Sequence, residues 1–163
     1  MKLEKILVPL DGSKLAEAAL DAAIGLAAGA PVTYSLIRAA EAHAVPVGDP
    51  AEAQVRVVRE AEEYLATVRE RLAKRGITNV VTGVWYGSAA VSIVEAAQAR
   101  KADLIVMSTH GRSGLGRLIL GSVAEAVLRG TRVPVCIVRA TDAPVEQPPG
   151  RAEVETGRVS AGV

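Results

Sequence analysis

The chain has no phenylalanine, one tryptophan and three tyrosines. So few rings leave no stacking platform of the kind that single-stranded nucleic acid or RNA modules use, and the core has to be aliphatic. Cysteine is nearly absent as well. Cys136 stands alone, which excludes an internal disulfide and a cysteine-based zinc site by count, and its setting in VPVCIV reads as a small buried hydrophobe in a reducing compartment. No charge predominates: 19 Lys+Arg against 18 Asp+Glu leave a formal net charge of +1, so neither nucleic acid nor an anionic membrane surface is an expected partner. Long apolar runs are missing too. The opening MKLEKILVPLDGS enters an apolar stretch too short for a signal sequence or a membrane span, and the expected location is cytoplasmic.

What is present is aliphatic residues in periodic runs. With 163 residues, half of them hydrophobic, the chain can bury one sizeable core. LEKILVP (3–9) reads as a buried strand closed by Pro9, Asp11 and Gly12; an Ala- and Leu-rich helix follows from Lys14 to Ala28, capped by Ser13 or Asp11, with Lys14, Glu17 and Asp21 as a narrow solvent stripe. Further strands are expected at 31–38, 79–85, 102–107 (ADLIVM) and 133–138, and further helices at 51–75, 88–100 and 122–130. The long connection around 39–50 is a candidate lid. From Ala140 onward, Pro, Gly and charge without periodicity predict a disordered tail behind a domain of residues 1–139. Five strands alternating with four helices predict an α/β fold: a single-domain, open, five-stranded parallel sheet with helices on both faces, Rossmann-like. Such sheets bind ligands beyond the carboxyl ends of their strands, where Pro9–Ser13 and Ser108–Ser122 both fall.

Ser108 to Glu125 reads STHGRSGLGRLILGSVAE, with glycines at 111, 114, 116 and 121. Backbone without Cβ lets N–H groups turn inward around an anion, and a helix opening at Ser122 adds unsatisfied N–H groups and a positive dipole end. The same glycines also suit a long strand-to-helix turn, and SVAE is a capping box that needs no ligand. The segment is neither G-x-x-x-x-G-K-[ST] nor G-x-G-x-x-G. Asp11 fits an Asx-turn as well as a ligand contact. His110 has no partner in the sequence that would make it a base, and Trp85 and Tyr86 read as packing residues.

The segments KILVPLDGS, ADLIVMSTHGRSGLGRLILGSVAEAVLR and VPVCIV, in this order, resemble the universal stress protein family, over Lys5 to Val138. Its nucleotide-binding branch, which shares the adenine nucleotide alpha-hydrolase-like fold, carries glycine, two residues, glycine, nine residues, glycine and Ser or Thr. Here Gly111 and Gly121–Ser122 match, and Ser108 replaces the first glycine. The resemblance implies phosphates surrounded by Gly111, Arg112, Gly121, Ser122 and Val123, with Ser108 and Gly114 in the same loop. It places Asp11 by the ribose or a metal-bound water, and lines the adenine and sugar pocket with Pro9, Leu10, Ile37 and Met107. It further implies ATP with Mg²⁺ or Mn²⁺, little or no turnover, and a homodimer through strand 133–138. An AMP- or cyclic-AMP-binding module, or a nucleotide-free interaction protein, is the alternative. An adenylating enzyme is disfavoured, because Pro9-Leu10-Asp11-Gly12-Ser13 stands where such enzymes carry Ser-Gly-Gly-x-Asp-Ser.

Overall fold

In a computed structural model of the chain, residues 2–41, 49–109 and 121–139 are described. Strands β1 (Lys5–Pro9), β2 (Thr33–Ala40), β3 (Val80–Tyr86), β4 (Leu104–Ser108) and β5 (Val135–Val138) alternate with helices α1 (Lys14–Ala27), α2 (Pro50–Lys74), α3 (Ala89–Arg100) and α4 (Ser122–Gly130). The strands form one five-stranded sheet in the order β3-β2-β1-β4-β5. Every pairing is parallel, as the alternation predicts.

Central strands read as continuous apolar runs because both of their faces are covered. Ile6, Val8, Leu36 and Val106 pack under Ala16, Ala19, Leu20 and Ala23 of α1 and Leu65, Val68 and Leu72 of α2. On the opposite face Leu7, Ile37, Ile105 and Met107 meet Ile93, Ala96 and Ala97 of α3 and Ala124 and Val127 of α4. The small residues of α1 and α3 let helix backbones approach the sheet closely.

Several boundaries move from the sequence reading. Val32 is buried but precedes β2, its N–H bonded to Ala30 O (2.8 Å), so pairing with β1 begins only at Thr33 and ends at Ile37, while β2 itself runs on to Ala40 against β3. The polar stripe of α1 is not a simple solvent face. Glu17 accepts from Arg71 (2.8 Å) and Asp21 from Arg75 (2.9 Å), a seam between α1 and α2 that pattern on one helix alone does not reveal. Cys136 is half-buried at the sheet edge, where it packs against the α1-side core. The tail from Ala140 and most of the candidate lid, residues 42–48, lie outside the described residues.

At the amino end of the sheet, Asp103 fastens β4 to β1. Its carboxylate accepts from the N–H groups of Glu4 (2.9 Å) and Lys5 (2.8 Å), while its own N–H donates to Lys5 O (2.9 Å). These two main-chain donors hold its carboxyl below the usual carboxylate range. Beyond this clamp the ladder between the two strands comprises Ile6–Leu104 and Leu7–Ile105, whereas β1 and β2 pair at five positions.

Candidate functional site

The carboxyl ends of β1 and β4 form the switch point of the sheet. From β1 the chain goes on to β2 and then β3 on one side, and β4 and β5 add on the other. Connections therefore leave in opposite directions there, and a crevice opens between them.

Its β1 side is built by a short, heavily bonded loop. Leu10 N–H donates to Ile37 O (2.8 Å), and Gly12 then turns the chain at φ +87, a conformation that glycine takes without Cβ strain. Asp11 Oδ1 accepts from Ser13 N–H (2.9 Å), and Ser13 Oγ accepts from Ala16 N–H (3.1 Å), which makes Ser13 the N-cap of α1. The Asx-turn and the helix cap are both present, one on each residue. Asp11 is exposed.

The residues expected to line a base and sugar pocket lie on three adjacent strands. Pro9 stands opposite Ile37 in the β1–β2 register, and Ile37 and Met107 belong to the same core cluster on the α3 and α4 face. Ile37, transferred without a motif of its own, is thus beside Pro9. Leu10 lies on the other face, its side chain buried among the residues under α1; Ile37 (0% exposed) and Met107 (4%) are themselves buried in the α3 and α4 cluster, and Pro9 is the partly exposed member of the three.

On the β4 side, Ser108 ends the strand and Thr109 N–H continues the β5 pairing to Val138 O (3.1 Å). His110 to Leu120, including Gly111, Arg112 and Gly114, lie outside the described residues. The chain is described again at Gly121, and here the capping box is corrected. Gly121, extended at φ −57 and ψ 147, is the N-cap; Ser122 is the first helical residue and caps nothing through its side chain. Glu125 N–H donates to Gly121 O (2.9 Å), and its carboxylate accepts from Arg129 (2.6 Å) instead of reaching back. Because α4 starts one residue earlier than a Ser122 cap requires, Ser122, Val123 and Ala124 present the N–H groups that precede the helix's own ladder. Ser122 and Val123 are exposed.

Trp85 packs against the cluster that contains Ile37 and Met107, as expected, but Tyr86 is 66% exposed and is not a packing residue. Arg38 and Tyr64 escaped the sequence reading altogether. The Arg38 guanidinium lies 5.2 Å from the centroid of the Tyr64 ring and 3.7 Å from where a Cβ on Gly12 would stand. Tyr64 Oη donates to Glu17 (3.3 Å); burial, then the neighbouring Glu17 carboxylate, pushes its hydroxyl up to about 12. Strand alternation alone would have put Arg38 on the opposite face from Ile37, but its partners come from distant helices. Among the described residues no group of three or more His, Cys, Asp or Glu is placed to hold a metal ion, and no helix is long and apolar enough to cross a membrane.

An open parallel α/β sheet whose connections leave in opposite directions from a switch point belongs to the doubly wound class of sheets. The profile of the Universal stress protein family matches residues 2–139. Universal stress protein MJ0531 of Methanocaldococcus jannaschii is 36% identical over 141 residues, covering 83% of this chain and 82% of that one. The solved structure of hypothetical protein MJ0577 aligns at a TM-score of 0.75 and 26% identity, over 87% of this chain and 99% of the other. A universal stress protein solved in complex with cAMP shares the fold at a TM-score of 0.64 and 24% identity, over 83% of this chain and 96% of its own. The chain belongs to the universal stress protein family.

Proposed function

We propose that this chain is a cytoplasmic stress-response protein that holds ATP in the crevice between β1 and β4 with little or no turnover. The observation that carries the reading is the strand order, which sets the end of β1, followed by Asp11, beside the end of β4 at the switch point, together with the exposed first residues of α4, Ser122 and Val123. Each part matches a part of the ligand. The apolar residues Pro9, Ile37 and Met107 suit a base and sugar, and the main-chain N–H groups of Ser122 and Val123, with the glycine-rich segment from Ser108, suit phosphate oxygens. Asp11 would hold the ribose hydroxyls or a water on the metal. With that one carboxylate on the β1 side, Mg²⁺ or Mn²⁺ would be carried mainly by the phosphates and by water, as suits a hard cation. The solved cAMP complex supports an adenine nucleotide for this fold. Turnover needs a base that positions water, and neither the β1 loop nor the start of α4 supplies a histidine or a second carboxylate directed at the crevice.

Addition of ATP at about 100 times its Kd is expected to stabilise the stripped protein by about 2.7 kcal/mol, a rise in Tm of about 5–10 °C. AMP and cyclic AMP measured in parallel decide between nucleotides. Absence of any shift with ATP would sink the reading, and a larger shift with AMP or cyclic AMP would transfer it to a regulatory module.

The second part of the proposal is a homodimer through strand 133–138. All four residues of β5 are half-buried at the sheet edge, and Leu128 of α4 is 42% exposed. An apolar edge of this kind needs a cover, and a second copy provides an isologous one. Light scattering at micromolar concentration should give twice the chain mass; a monomer would refute it.

A further inference from the structure

The β1–α1 loop is supported from behind by a chain of side chains that no motif identifies. Arg38 and Ile37 are neighbours on β2 and therefore point to opposite faces of the sheet. Ile37 belongs to the cluster under α3 and α4, so Arg38 stands on the α1 and α2 side. There its guanidinium faces the side of Gly12 that lacks a Cβ, 3.7 Å from where one would stand, and lies over the Tyr64 ring. Tyr64 is tied through its hydroxyl to Glu17, and Glu17 to Arg71. Residues of α2 thus reach the loop that carries Asp11 through two routes: the Arg38 stack, and Glu17 in the first turn of α1. Among the described residues Arg38 makes no ion pair. A cation kept half-buried without a carboxylate, on an aromatic face and against a left-handed glycine, is placed for contact with the loop rather than for charge balance.

We infer that Arg38 is a positioning residue: by filling the space behind Gly12, with the Tyr64 ring as its support, it holds the Asp11–Ser13 turn in the shape that presents Asp11 to the crevice. The ligand consequence rests on the nucleotide reading above; the loop consequence does not. Without the guanidinium the space behind Gly12 opens, the turn relaxes toward α2, and Asp11 withdraws from the site.

The test compares Arg38→Met and Tyr64→Leu with Arg38→Lys and Tyr64→Phe in the full chain. In protein stripped of nucleotide, amide exchange by NMR is expected to quicken about fivefold or more at Ser13 and Ala16 in Arg38→Met and Tyr64→Leu, with Leu20 to Ala23 unchanged. Tyr64→Phe keeps the ring and should stay within about twofold of wild type, while Arg38→Lys keeps the charge but loses the planar stack and should fall between. By calorimetry, ATP affinity should drop about tenfold in Arg38→Met and Tyr64→Leu, while Tm without nucleotide stays within about 2 °C. Unchanged exchange at Ser13 and Ala16 in Arg38→Met overturns the inference, as does an equal effect of Tyr64→Phe and Tyr64→Leu. If the wild type binds no ATP and exchange still quickens, the nucleotide reading fails and the role of Arg38 in the loop stands.

Discussion

Gly121→Val is expected to lower ATP affinity by about 100-fold or more while circular dichroism and melting without ligand stay close to wild type. The two halves of this expectation come from different observations. Gly121 is extended at φ −57 and ψ 147, a conformation open to any residue, so valine strains neither the backbone nor the helix that begins at Ser122. The cost falls on the ligand. A branched side chain at the N-cap stands where phosphate oxygens would approach the first N–H groups of α4, and each such bond is worth roughly 1.5–3 kcal/mol. Loss of two gives at least about 3 kcal/mol, and tenfold in affinity corresponds to about 1.4 kcal/mol. Titration calorimetry with ATP and Mg²⁺ measures it. Retained affinity would mean that the phosphates lie elsewhere than at the start of α4.

Leu7→Ala should destabilise the fold by about 2–5 kcal/mol, the range for removing a fully buried leucine, with Tm lower by about 5–20 °C. Leu7 is 0% exposed on the central strand, between β2 and β4 and beneath α3, where rigid strands on both sides cannot close the cavity. Urea unfolding monitored by circular dichroism gives the difference; a loss under about 1 kcal/mol would mean that Ile37, Ile105 and Ile93 collapse into the space. Val81→Ala provides the contrast. Val81 is 38% exposed on the edge strand β3, and its loss should cost well under about 1 kcal/mol.

The alternation of strand and helix was legible because apolar runs and 3.6-residue periodicity are properties of single segments. Neighbour relations were less so. That β1 lies between β2 and β4 follows from the way segments dock, which the periodicity of single segments does not state. Boundaries shifted where one local signal met another: Val32 is as apolar as a strand residue but lies in the turn after α1, and Gly121 takes the cap that SVAE seemed to assign to Ser122. Pro9, Asp11, Met107 and Ser108 were readable as residues at or just beyond strand ends, and that is where they stand. Arg38 and Tyr64 were not, because a guanidinium on an aromatic ring joins β2 to a helix more than twenty positions later, and no spacing rule spans that distance. Tyr86 shows the converse error, an aromatic residue taken for packing that stands in solvent.

The short ladder between β1 and β4 has a mechanical consequence. Asp103 closes the two strands at one end, while at the other the ladder runs to Leu7 and Ile105. Asp103 is therefore the sheet's own fastening across the β1–β4 seam, which α1 splints on one face and the α3 and α4 layer on the other. A nucleotide held at the far end, between Pro9 and Ser108, would add a second fastening there. Amide exchange at that end of the seam would then report whether it is in place.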